Sequence, residues 1–339
     1  MTSIWRGSAR MVAGAFNAFT NGLTSSMPAN GGTADKNVDM LIGGQAVIEG
    51  VMMRSLTGYS VAVRQPDGGV AIRREKLATV TAKYPFLKIP VLRGSVVLIQ
   101  SLILGMRALN YSASVSSAGE DGQPEMSNWA IAGSMAMALL LGVGLFILAP
   151  LGLTNLIRHY LLPEMGNFAY NAIDGVIRAV FFFIYIWSIS MMDDIKRVFQ
   201  YHGAEHKTVY TFEANEDLTV ENARTKSTLH PRCGTSFLMF VMAISILVFS
   251  LIPSSAPFVL KFGARVVLIP LIAGLAYEVI RFSARHLSNP VCRVLIRPGL
   301  WLQRITTKEP DDRQLEIALI ALKEALLYDA IEPEQAAVA

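Results

Sequence analysis

Apolar residues gather into a few long runs, and charged segments separate them. A run needs ~18 residues to cross the hydrocarbon of a bilayer as a helix. Trp129 to Pro150 carries no charge, Val176 to Met192 carries only Arg178, and Ser236 to Ile252 carries none. A fourth run, Val266 to Phe282, holds Glu278 and Arg281 near its end, and an earlier start near Phe258 would add Lys261 and Arg265. A fifth, Ser95 to Leu109, follows Arg93 and is interrupted by Arg107. It reads as a helix lying in the membrane interface or dipping partway in, with a buried soluble helix as the plainer alternative.

Outside these runs the period changes. Tyr59 to Arg74 alternates apolar and polar residues on both sides of Pro66-Asp67-Gly68-Gly69. That pattern predicts a β-hairpin, because the turn needs residues that tolerate positive φ. With the apolar Leu41–Met53 stretch it predicts a small β element before the membrane part. Near the other end, Glu309-Pro310-Asp311-Asp312 favours a helix start, and Leu315, Leu319, Leu322 and Leu326 then share one helical face. The expected fold is an α-helical integral membrane protein. It has about four transmembrane helices, an interfacial helix, an N-terminal β element and an amphipathic C-terminal helix.

The expected regions are a tail at 1–38, a β-containing region at 39–92 and an interfacial helix with polar linker at 93–128. Spans one and two occupy 129–192, a loop 193–235, spans three and four 236–282, and a C-terminal region 283–339. Residues 1–34 lack acidic side chains and hold a short apolar stretch, but Asn17 interrupts it, so a tail is preferred to a signal peptide.

Composition agrees with a membrane protein and excludes a disordered chain: 52% of the 339 residues are hydrophobic and 17% charged. Two cysteines, Cys233 and Cys292, exclude a disulfide scaffold. The net charge of +4 is distributed unevenly. Twelve Lys/Arg precede Trp129, six lie in 193–235 and eight follow from Arg281 onward, whereas Leu151–Gly175 holds only Arg158. By the positive-inside rule both termini and the 193–235 loop are cytoplasmic. Nucleic-acid binding is not expected, since no basic–aromatic surface is apparent.

The chemistry concentrates in that loop. His202 and His206 are four apart, so on a helix both rings project from one face and can grip one divalent ion, zinc foremost. Glu205 completes an H-x-x-E-H spacing and is placed to act as base toward a water that the ion activates. His230 and Cys233 end the loop in a turn set by Pro231 and Gly234 and offer further ligands. Four protein ligands would make a structural site; three would leave a position for water and permit hydrolysis. Glu278 is an accessory candidate because a carboxylate near a span is costly, although Arg281 offers it an ion pair. Glu49 and Arg54, in a glycine-rich stretch without nucleotide-binding spacing, either line a site or pair with each other.

Five segments make the chain resemble the YqhQ-like family: GGQAVIEGVMMR from Gly43, YHGAEHK from Tyr201, HPRCGTSF from His230, AYEVIR from Ala276 and PGLWLQRITTKEPDD from Pro298. The likeness covers about residues 40–327. It implies a multi-span protein of the bacterial inner membrane, a predicted metal-dependent enzyme with His202, Glu205, His206, His230 and Cys233 in its site. It supplies no substrate. The function expected first is therefore a metal-dependent hydrolase at the cytoplasmic face, with a peptide or amide bond favoured by analogy to inverted zinc proteases. The alternative is a non-catalytic scaffold or assembly factor with a structural metal. A transporter is less favoured, for want of paired broken helices. The expected partners are the lipid bilayer and a membrane protein or a second copy of the chain.

Overall fold

The computed structural model describes residues 42–55, 57–77, 84–117, 128–286 and 288–338. The expected tail and the polar Glu120–Pro124 linker lie outside these residues. Four antiparallel strands come first, β1 (Gly43–Val47), β2 (Gly50–Arg54), β3 (Gly58–Arg64) and β4 (Val70–Lys76), in that spatial order. The β3–β4 hairpin closes with Arg64 opposite Val70, and Gly68 takes a φ of 89°, the conformation for which glycine was expected there.

A 3₁₀ turn, Pro85–Lys88, leads into α1 (Leu92–Ser117). Next come α2 (Asn128–Val143), a π-helical turn Gly144–Leu148, and α3 (Ala149–Tyr160), followed by α4 (Asn167–Ile189). The loop region contains α5 (Asp193–Glu213) and the short α6 (Val220–Arg224). The chain ends with α7 (Thr235–Phe249), α8 (Phe258–Arg285), α9 (Pro290–Thr306) and α10 (Asp312–Val338).

Among the described residues, four helical segments are long and apolar enough to cross a membrane: Leu92–Ser117, Ala136–Tyr160, Asn167–Ile189 and Phe258–Ser283. Leu139, Leu140 and Leu141 on α2 face outward, as lipid-exposed side chains do. Three details differ from the sequence expectation. The helix expected over Ser95–Leu109 runs for 26 residues, Leu92–Ser117, and Arg93 at its start pairs with Glu278 of α8. The expected third span forms a helix of only 15 residues, ended near Pro253. The fourth starts at Phe258, and the cations this admits, Lys261 and Arg265, turn inward and are buried.

The polar elements share one core. Val51, Met53 and Ala62 of the sheet pack with Tyr201, Ala204 and Val209 of α5 and with Leu315, Ala318 and Leu322 of α10. The opposite sheet face, with Val47, Tyr59, Val61 and Val63, packs on Ala108 of α1. The leucine face expected on the tail helix is thus a docking face against the sheet and α5. Asp311 caps α10 reciprocally with Gln314: each backbone N–H donates to the other's side chain, at 2.7 and 2.9 Å.

Candidate metal centre

The site is built on α5. His202 and His206 stand one turn apart, with ring centroids separated by 4.5 Å. Each ring is oriented from behind by a carbonyl oxygen. His202 Nδ1 lies 2.8 Å from Thr306 O, and His206 Nδ1 donates to Thr228 O. A carbonyl only accepts, so both Nδ1 atoms carry protons and both Nε2 atoms face forward, as in metal sites where outer groups fix the imidazole.

Cys233 arrives from the turn before α7. Its backbone N–H donates to His230 O at 3.2 Å, and Thr235 N donates to its Sγ at 3.4 Å. The sulfur therefore sits at the first turn of α7, where the helix dipole favours a thiolate. It lies 3.2 Å from His202 Nε2. Ligand atoms of His202, His206 and Cys233 all fall within 4.8 Å of one another. Zinc bonds of ~2.0 Å to nitrogen and ~2.3 Å to sulfur place tetrahedral ligands ~3.5 Å apart, so modest closure accommodates the ion.

His206 Nε2 is buried without a hydrogen-bond partner. A donor set of two imidazoles and a thiolate with one orphaned nitrogen fits a borderline-soft cation such as zinc. Electrostatics agree. Burial pushes the Cys233 thiol up, but the His206 and His202 imidazoles overturn this and hold it well below its ordinary value. Burial likewise opposes charge on His206, yet the Cys233 thiolate and the Glu205 carboxylate lift it to about 9. A cation bound here would take the place of that imidazole proton.

Glu205 is buried beside the cluster. One carboxylate oxygen accepts from Gly44 N at 2.9 Å and the other lies 3.5 Å from His206 Nε2. Gly44 is glycine for a reason: a Cβ there would fall 2.3 Å from Met52 O and 3.0 Å from Glu205 Cγ. The glycine-rich strand thus forms a wall of the site.

The other predicted residues are placed outside the three-ligand group. His230 directs Nε2 to Glu213 at 3.1 Å and accepts from Arg232 N on Nδ1 at 3.3 Å. Burial and the neighbouring His206 push its pKa down to about 4. Glu49 pairs with Arg197 and also accepts from Tyr201 OH at 3.3 Å, rather than pairing with Arg54. Arg54 is half-buried at the end of β2, where burial lowers its pKa. Glu278 joins Arg93 at the α1–α8 contact instead of Arg281.

Several supporting residues carried no chemical signal in the sequence. Buried Gln303 clamps the His230 turn, accepting from His230 N at 2.8 Å and donating to His230 O at 2.9 Å. Gly203 lets the strap after α9 approach, since a Cβ there would meet Lys308 O at 2.1 Å. That strap continues from Thr306, the last residue of α9, whose carbonyl faces His202.

The model of the family described as "Protein of unknown function (DUF1385)" matches residues 89–327. The chain is also 35% identical over 304 residues to the "Uncharacterized protein YqhQ" of Bacillus subtilis (strain 168), covering 86% of this chain and 94% of that protein. The chain belongs to the YqhQ-like family. Within it, the matched region contains α5, the Cys233 turn and Gln303 of α9, whereas Gly44 and its strand precede residue 89. No solved structure matches.

Proposed function

We propose that this protein is a metal-dependent membrane hydrolase whose site faces the cytoplasm. The observation that carries this reading is the convergence of His202, His206 and Cys233 within 4.8 Å, with Glu205 against His206. Three protein ligands, rather than four, leave one coordination position open, as catalytic zinc sites do. Zinc bound there would supply Lewis acidity and lower the pKa of a water at that position. Glu205, whose carboxylate accepts from Gly44 N–H, would serve as the base toward such a water. Thr306 and Thr228 keep the two imidazoles aimed at the ion. The deep burial of His206 and Cys233 favours a second reading, a structural metal that pins the 193–235 loop for a protein partner.

The shared core supports the reading of a multi-pass protein of the bacterial inner membrane with both termini on one side. The sheet, α5 and α10 pack together, so they occupy one side of the bilayer. The α2–α3 segment then crosses outward and α4 returns, and α7 and α8 repeat this. Helix α1 does not cross, because Leu104, Ala108 and Tyr111 on its second half lie against the sheet. The positive-inside rule makes this side cytoplasmic.

Metal analysis of the purified full-length protein tests the first reading. About one equivalent of zinc is expected in wild type and little in the His202→Ala/His206→Ala variant, while Glu205→Gln keeps its zinc and loses hydrolysis of a peptide library. Equal zinc in wild type and the double variant removes the proposed ligands; unchanged cellular function of Glu205→Gln selects the structural reading.

A further inference from the structure

The end of the helical bundle remote from the metal centre holds a buried polar network that the hydrolase reading does not use. It is assembled from the last turns of α3, the first turns of α4 and α8, and Ser254 of the loop between α7 and α8. Asp174 accepts from Arg178 at 2.7 Å and from Arg265 at 2.8 Å. Lys261 gives its ammonium to three neutral oxygens, Asn155 Oδ1 at 3.0 Å, Tyr170 OH at 3.2 Å and Ser254 O at 3.2 Å. Arg158 donates through one nitrogen to the same Ser254 carbonyl.

The charges do not balance. Arg158, Arg178, Lys261 and Arg265 are four cations, and Asp174 is the one carboxylate bonded to any of them among the described residues. Arg265 and Asp174 are each about fully buried, with side-chain exposures of 2% and 1%. Glu164 on the adjoining loop is exposed and makes no ion pair among the described residues. Excess like charge in apolar surroundings is costly and is retained where a counter-charge is supplied. Two cations converging on one carbonyl concentrate that excess beside Ser254. The first turns of α4 and α8 add their positive dipole ends. Arg158 is half-buried at the rim, its guanidinium over the Tyr170 ring, and Ser254 O is bonded by one of its nitrogens.

We propose that this end of the bundle binds a phosphate group, with Arg158 as the contacting side chain and Lys261 and Arg265 supplying charge behind it. The phosphate belongs to a phospholipid headgroup or to a free phosphate anion; both present the same oxygens to the guanidinium fork. The site is independent of the metal chemistry and stands or falls separately from it.

The test uses full-length protein in a non-ionic detergent, titrated with phosphatidylglycerol, phosphatidylcholine or sodium phosphate while the thermal midpoint is followed. Phosphatidylglycerol should raise the midpoint and phosphatidylcholine should not. Arg158→Gln and Lys261→Met should each weaken the apparent affinity about tenfold, the loss of one charge-assisted contact, with circular dichroism unchanged. A shift with phosphatidylglycerol alone assigns a lipid headgroup; an equal shift with sodium phosphate assigns the free anion. If Lys261→Met does not fold, Arg158→Gln at the rim decides. No shift with either anionic probe, or a wild-type response in Arg158→Gln, overturns the proposal.

Discussion

His230 and Cys233 are three residues apart in one turn and have different duties. Cys233 Sγ faces His202, whereas both ring nitrogens of His230 are already engaged, by Glu213 and by Arg232 N. On the proposed metal site, removing Cys233 would remove a ligand and removing His230 a buried support. Cys233→Ala is therefore expected to lose most zinc, and His230→Gln to retain it while losing about 1–3 kcal/mol of stability from unpaired buried groups. Elemental analysis beside denaturant unfolding checks both, and zinc loss equal to that of Cys233→Ala in a folded His230→Gln would make His230 a ligand. Gly203 is the complementary case, a residue with no side chain that still sets a ligand. Its Cβ would overlap Lys308 O, so Gly203→Ala must push the strap and the Thr306 carbonyl away from His202. Zinc affinity is expected to fall about 10–100-fold, the usual effect of disturbing an outer-shell partner; competition with a chelator would show it.

At the scale of elements, local signals proved readable and long-range ones did not. The hairpin of β3 and β4 announced itself through alternation and Pro66-Asp67-Gly68-Gly69, and the α10 start through Asp311. Helix α1 was harder, because Arg93 looks like the end of an apolar run until its partner is known, and Glu278 lies 185 residues away. The same distance effect hid Lys261 and Arg265 within α8, since Asp174 and Asn155 come from other helices. Gly44 and Gln303 were visible only as letters in unusual stretches, for a backbone N–H and a buried amide have no spacing pattern. The α1–α8 junction also depends on close approach: a Cβ on Gly274 would lie 2.3 Å from Val91 O. Gly274→Val is expected to destabilise the protein by about 1–3 kcal/mol through overpacking. Zinc content should stay at the wild-type level, because no ligand sits on either helix; a parallel loss of zinc would mean that α1 and α8 position the site.

The whole molecule turns on a parity argument. The sheet precedes all the apolar helices, α5 lies between α4 and α7, and α10 follows them, yet the three share one core. Any crossing between the sheet and α5 must therefore be matched by a return. Three apolar segments, α1, α2–α3 and α4, lie between them, so one of the three cannot cross. On the proposed topology helix α1 is that one, since its second half lies against the sheet: Ser112 Oγ accepts from Ile48 N at 3.3 Å, and Gln45 donates to Gly105 O at 3.3 Å. Length and apolarity alone make α1 a candidate span, and the proposed topology departs from them at this helix. Exposed positions allow a direct check by single-cysteine labelling in a Cys233→Ala/Cys292→Ala background with a membrane-impermeant maleimide. Glu164→Cys, between α3 and α4, should label in intact cells. Ser114→Cys at the end of α1 and Asp217→Cys after α5 should label only after permeabilisation, and together. Labelling of Ser114→Cys from outside with Asp217→Cys protected would place α1 across the bilayer and break the shared core, so that single pairing of results is the one the fold cannot survive.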